Sequence, residues 1–549
     1  MGSRVLVLRG GAAFDGRRHR PGHGVVVADG RVRALAPDAE LASYVGAGER
    51  AEEVDLAGGL VLPGFQDAHV HPVQGGLLRL RCDLAELDTR EGYLDAVAAY
   101  AAARPDLAWV VGGGWTMSVF GTASPRADDL SAIVPDRPVV LVNRDHHGTW
   151  VNRRALELAG IDRHTPEPAD GRIERDADGE PTGMLHEGAM HLVDPLIPPT
   201  SQDDYYGGLL EGQAYLHSFG ITAWQDAILG DYAGGADASP AYLRAVRAGT
   251  LTARVRGALW WRRDLGIEQV DDLLARRERY SQGRLVAGSV KVMQDGIAEN
   301  FTAGMTTPYL DGCGHDTSNL GLSFVDPVAL RANVTRLDAE GFQVHVHAIG
   351  DRAAREALDA FEAARAANGV SAHRHHVAHL QVVHPDDVPR FAALGVAANL
   401  QPLWAHLDDQ MVDMTIPYLG EERSGWQYPF GDLARAGAHL AAGSDWPVTT
   451  PDPLAAIHVA VNRWAYGESG RAGSEPFLPE QALTLEQAFA AYTSGSAHTN
   501  HLDETGTLAP GMLADLAVLD RDPFAGDPAG IGATGVRATY VDGECVHGG

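Results

Sequence analysis

Two histidines one residue apart, a lysine inside an apolar run, two further histidine-bearing runs and an aspartate closing another make a set able to hold metal ions. The pair is His69-Val70-His71, reached through Leu62-Pro63-Gly64-Phe65-Gln66-Asp67-Ala68 and followed by Pro72. Residues i and i+2 of a strand share a face, so both imidazoles can reach one ion. Asp445 ends Ala441-Ala442-Gly443-Ser444, and a carboxylate at a strand's C-terminal end is where barrel enzymes keep an acid or base. Lys291 lies between Ser289-Val290 and Val292-Met293, a strand interior where a bare ammonium is costly, so a partner or a modification is expected. His345 and His347 also share a face, and spacing alone does not choose between them. His379 follows Val377-Ala378, whereas His373, His375 and His376 read as a solvated approach to it. Hydrolysis is the chemistry that fits. Metal ions lower the pKa of bound water toward about 7 and polarise a carbonyl, and Asp445 can take the water's proton and hand it to the departing nitrogen. Neither a Gly-x-Ser-x-Gly elbow nor a phosphate-binding glycine loop competes with this reading.

The intervals between these residues suggest the elements that position them. A (β/α)8 barrel spends roughly 30 residues on each strand-helix unit. His347 and His379 are 32 residues apart, one unit, and His379 and Asp445 are 66 apart, two units. Lys291 and His347, 56 apart, span one unit plus the Gly- and Thr-rich loop of residues 299–321. With the histidine pair on strand 1 and Asp445 on strand 8, the others fall on strands 4, 5 and 6. Strand 1 to strand 4 should take about 90 residues, yet His71 and Lys291 are 220 apart. An insertion of very roughly 130 residues is therefore expected, at about 75–215. Short β-like runs such as Gly24–Gly30, Ala514–Leu519 and Ala538–Gly543 occur at both ends of the chain, and Asp29-Gly30 marks a hairpin turn. The expected fold is α/β: a (β/α)8 TIM barrel over 59–502, a large insertion after strand 1, and a small β-sandwich of residues 1–58 with 503–549. Ala-rich runs at 91–103, 268–281, 326–340 and 351–367 read as helices.

Together these segments resemble the amidohydrolase superfamily, and within it the family 3 branch that includes N-substituted formamide deformylase. The resemblance is carried by Pro63–His71, by Val290–Gly296 with Glu299–Ala303, by His347–Asp351, by His379 with Gln381, and by Gly443–Pro447. Outside the centre it continues through Asp145–Asn152, Gly179–Gly183 and Gly511–Leu516, nearly the whole chain. It implies a pair of divalent ions, zinc first, held by His69, His71, His347, His379 and Asp445 and bridged by a carboxylated Lys291; it favours His347 over His345. It implies a small N-acyl or N-formyl amine as substrate. Cyclic-amide hydrolysis or deamination is the alternative within the superfamily, and a non-catalytic metal-containing binding protein the alternative outside catalysis. Retention of every ligand together with Asp445 argues against the latter. Relatives often carry Glu before the strand-6 histidine where this chain has Ala378, which bears on that imidazole's support rather than on the ligand itself.

Recognition is less sharply written. Trp115, Asn143, His147, Phe301, Tyr309 and Trp404 lie on expected loops over the barrel mouth and are candidates for an aromatic-lined substrate pocket. The formal charge of −29 disfavours nucleic acid and anionic membrane surfaces as partners and suits a neutral or cationic small molecule. A homodimer is compatible with this reading. Cys82, Cys313 and Cys545 are too few for a disulfide framework and have no metal-site spacing, so a cytoplasmic setting is expected. The start of the chain alternates briefly and breaks at Gly10, reading as a strand rather than a signal peptide.

Overall fold

The structure is a computed structural model describing residues 4–120, 124–144, 148–168, 171–232, 235–467 and 475–548. Eight parallel strands form one sheet in sequential order. They are β1 (Phe65–Val70), β2 (Ile221–Leu229), β3 (Arg254–Trp260), β4 (Leu285–Met293), β5 (Gln343–Ala348), β6 (His376–His379), β7 (Ala397–Leu400) and β8 (His439–Ala442). Beyond the ladder, the Asp445 N–H donates to His69 O at 2.8 Å and the His71 N–H to Trp446 O at 2.9 Å, which draws β8 against β1. The result is the nearly closed (β/α)8 barrel that the intervals predict, with Lys291 on β4 and His347 on β5. Helices Arg90–Ala103, Val270–Tyr280, Pro327–Ala339 and Asp351–Asn368 stand where the Ala-rich runs predict them.

Period-two alternation sorts the strand residues. On β5, Val344 and Val346 alternate with Gln343, His345 and His347. On β4, Val290 and Val292 alternate with Ser289 and Lys291. The polar set meets inside the barrel: Ser289 Oγ donates to Gln343 Oε1 at 2.5 Å, Gln225 Nε2 donates to the same oxygen at 3.0 Å, and His345 Nδ1 lies 2.7 Å from Gln225 Oε1. Buried polar groups persist only when paired, so this column fixes the strand register as well as lining the interior.

Both chain ends build two sheets. One orders Arg31–Pro37, His23–Ala28, Arg4–Arg9 and Arg50–Asp55; the other orders Glu544–Gly548, Val536–Val541, Leu516–Leu519, Leu60–Pro63, Ala12–Phe14 and His19–Pro21. Leu6, Leu8, Val25 and Val27 from the first share a core with Val61, Leu516, Val518 and Tyr540 from the second. Asp29 and Gly30 both take positive φ, 53° and 73°, as a two-residue hairpin turn requires.

Residues 72–212 form a separate compact unit inserted between β1 and β2. It holds a six-stranded sheet ordered Gly171–Arg175, Pro181–Glu187, Gly148–Val151, Val139–Asn143, Val110–Trp115 and Cys82–Asp83. Tyr93, Trp115, Leu141 and Trp150 pack its core. Among the described residues no helix is long and apolar enough to cross a membrane.

Candidate metal centre

Each proposed ligand stands at or just beyond the C-terminal end of a barrel strand or, for Lys291, within two residues of it. His69 is on β1, His71 just after it, Lys291 on β4, His347 near the end of β5, His379 at the end of β6, and Asp445 three residues past β8. All are buried except His71, which is partly so. The Nε2 atoms of His69 and His71 lie 3.1 and 3.0 Å from the same oxygen, Asp445 Oδ1. Donor atoms of His69, His379 and Asp445 lie within 4.8 Å of one another. The His379 ring sits 4.7 Å from that of His69 and 4.4 Å from that of His347. Lys291 Nζ lies 3.4 Å from His69 Nδ1 and 3.3 Å from His345 Nε2.

The protonation states suit metal binding. Burial, with the charge of Lys291 adding to it, depresses His69 to about 3, and burial holds His379 well below the ordinary histidine range. Both are therefore neutral, the form that ligates. Burial alone would raise Asp445, but the two imidazoles facing it outweigh that and keep its carboxylate ionised. Burial pushes Lys291 down to about 7. Among the described residues, the ring Nδ1 atoms of His71 and His379 are buried without a hydrogen-bond partner, which is expensive unless something else occupies them. Neutral imidazoles converging with one carboxylate fit a divalent ion of the zinc type.

The backbone here is held in costly shapes. His379 (φ 80°) and Asp445 (φ 56°) occupy the left-handed region, a cost of order 1–3 kcal/mol each that the surrounding hydrogen bonds must outweigh. Asp67 supplies several of them: its carboxylate accepts from the N–H groups of His69 (2.9 Å) and Ser444 (3.1 Å) and from Ser444 Oγ at 2.5 Å. The His379 N–H donates to Gln401 Oε1 at 2.7 Å.

Three side chains in or beside this centre carry more than their sequence suggested. Asp295 is fully buried; its Oδ1 accepts from His347 Nδ1 (3.0 Å) and the Ile349 N–H (3.0 Å), its Oδ2 from the N–H groups of Gly350 (2.8 Å) and Gly304 (2.9 Å). That leaves His347 Nε2 free to ligate. His345, read as a deeper lining residue, lies 2.9 Å from His69 Nδ1, and Gln225 orients it from β2. A motif does place Asp295, four residues after Lys291, but nothing in one dimension pairs it with His347. One reading is corrected: His375 and His376 are not a solvated approach. Both are buried, His375 against Asp338 at 3.0 Å and His376 against Gln225 at 3.1 Å, because the strand starts earlier than the apolar step implied.

The recognition candidates divide. Trp404 stacks on His379, rings 5.5 Å apart and 7° from parallel, and its Nε1 donates to Thr449 Oγ1. Phe301 meets Tyr309 and Tyr418 edge to face at 5.4 and 4.9 Å. Tyr309 is buried beneath them, its hydroxyl donating to Ala303 O. Trp115 has no exposed surface and donates to Leu141 O inside the core of the inserted unit, and Asn143, also buried there, accepts from the Gly148 N–H. His147 lies outside the described residues.

Comparison with known proteins agrees with this geometry. The profile of the amidohydrolase family matches residues 52–547. The Arabidopsis thaliana protein LONG AFTER FAR-RED 3 is 31% identical over 99% of this chain and 91% of its own. N-substituted formamide deformylase of Arthrobacter pascens is 28% identical over 98% and 97%. The crystal structure of an uncharacterized metal-dependent hydrolase from Pyrococcus horikoshii OT3 superposes with a TM-score of 0.74 at 26% identity, covering 95% of this chain and 99% of that one. A barrel with candidate metal ligands gathered at its strand ends, and a family match running nearly end to end, make this chain a hydrolase of the amidohydrolase family.

Proposed function

We propose that this hydrolase cleaves the carbon–nitrogen bond of small N-acyl or N-formyl amines at a pair of zinc ions, held by His69, His71, His347, His379 and Asp445 and bridged by a carboxylated Lys291. The observation that carries the reading is the Asp445 carboxylate, ionised, buried and facing both strand-1 imidazoles. Bound divalent ions would supply a nucleophile at neutral pH and polarise the carbonyl under attack. Asp445 takes up the proton released when water adds to that carbonyl, then delivers it to the amine nitrogen as the bond breaks. Without that delivery the nitrogen would leave as an anion. Lys291 suits carboxylation because only a neutral amine adds carbon dioxide, and burial brings it to about 7. The faces of Trp404 and Phe301 support an apolar substituent on the substrate nitrogen. The three cysteines are unpaired, which supports a reducing, cytoplasmic setting.

The test is to strip the protein with a chelator, restore zinc with bicarbonate, and assay formamides, acetylated amines and cyclic amides in parallel. The expected result is two ions per chain and recovery of formamide or acyl-amine hydrolysis. One ion or fewer at full activity would end the two-ion version. Turnover of cyclic amides alone would reassign the substrate.

A further inference from the structure

The strand ends opposite the metal centre carry a charge that the hydrolytic reading leaves unused. Arg254 opens β3, Arg256 follows two residues later, and Arg284 immediately precedes β4. With Asn500 and His501 they line a pocket of about 150 Å³. Arg254 is committed: Nε and Nη2 donate to the two carboxylate oxygens of Asp515 at 2.6 and 3.0 Å, and it also pairs with Asp542. Arg284 shares Asp542, yet its Nη1 is buried without a partner among the described residues. Arg256 has neither hydrogen bond nor ion pair among the described residues, and its Nε is buried.

Room has been made for that guanidinium. It lies against Gly288 of β4, where a Cβ would stand 2.6 Å from Arg256 Nη2. Its charged neighbour Arg374 repels it and is itself held by Asp503 at 2.7 and 3.0 Å. Burial and that repulsion bring Arg256 down to about 10, so it remains charged at neutral pH. Arg256 as a whole is half-buried, and a partly desolvated charge without a partner gains from a counter-ion that completes it. Although the chain has a net charge of −29, among the described residues no carboxylate pairs with Arg256.

We propose that this pocket binds a small oxyanion, a phosphate or a carboxylate, through the guanidinium groups of Arg256 and Arg284. Guanidinium N–H groups match both kinds of oxyanion, and the volume admits one such group rather than a nucleotide.

Full-length zinc-loaded protein would be titrated with inorganic phosphate and, separately, malonate, by calorimetry at constant ionic strength in chloride. Arg256→Gln and Arg284→Gln would be measured beside it. The expected result is one saturable site for at least one of the two anions, weakened tenfold or more in both variants, with kcat for the amide substrate unchanged. Arg284 is partly exposed, so its variant remains informative should Arg256→Gln fail to fold. Phosphate binding without malonate binding identifies a tetrahedral ligand, and the reverse a carboxylate. Absence of saturable binding by either anion to the unmodified protein, or full retention of binding in a folded variant, overturns the proposal.

Discussion

Asp295 shows how one carboxylate can orient a candidate metal ligand from behind. Its two oxygens accept from His347 and from three backbone N–H groups, so it fixes the His347 tautomer while tying Gly304, on the loop that carries Phe301, to the turn after β5. In Asp295→Asn, one acceptor oxygen becomes an NH2 that must face N–H donors. Zinc affinity should fall about 10–100-fold, read by competition with a chromogenic chelator; unchanged affinity would show that His347 needs no such support. Asp295, His345 and Gln225 explain what the sequence could not convey. The proposed ligands stand out in the sequence because each closes an apolar run or, for Lys291, interrupts one. Gln225 and His345 are 120 positions apart, and only closure of the barrel makes them neighbours.

Among the elements, the seam between β8 and β1 constrains the centre directly. Gly443 sits there, where a Cβ would come 2.7 Å from the His69 N–H nitrogen and 3.0 Å from Asp67 Oδ1. Gly443→Ala must therefore push His69 or Asp67 aside. A loss of roughly 1–3 kcal/mol is expected together with lowered zinc occupancy, seen as a fall in Tm and in metal content. Normal occupancy and Tm would mean that the seam yields without moving the ligands. The barrel itself was readable from intervals because a strand-helix unit has a nearly fixed length. Strands β2, β3 and β7 carry none of the proposed ligands, and only the arithmetic reserved places for them. The burial of His375 and His376 was misread because a run of histidines looks polar in sequence, whereas Asp338, Gln225 and Asn399 satisfy these rings in space.

At the scale of the whole molecule, the terminal sheets and the barrel share one compact unit. Leu60–Pro63, which leads into β1, pairs with both Leu516–Leu519 and Ala12–Phe14. A truncation to residues 59–502 removes both partners and should be insoluble or metal-poor; soluble, active protein would contradict this. Acid should also weaken the fold. His217, held neutral between Ile221 O and Thr252 Oγ1, each at 2.8 Å, is pushed down by burial to about 4. Between about 6.5 and 4 the unfolded chain binds a proton that the folded one refuses, so stability present above that window is lost as pH falls through it. The loss is roughly 3 kcal/mol for this group. Tm should drop from pH 7 to 4.5, and drop less in His217→Gln. Equal drops would remove His217 from the account. All of these elements serve to hold Asp445 between two imidazoles, and the most direct measurement replaces its carboxylate. Asp445→Asn, assayed for zinc content and kcat on the same amide, should keep its metal and lose at least about 10²–10⁴ in rate. Full metal occupancy with most of kcat retained would contradict the assignment of Asp445 as the group that carries the proton.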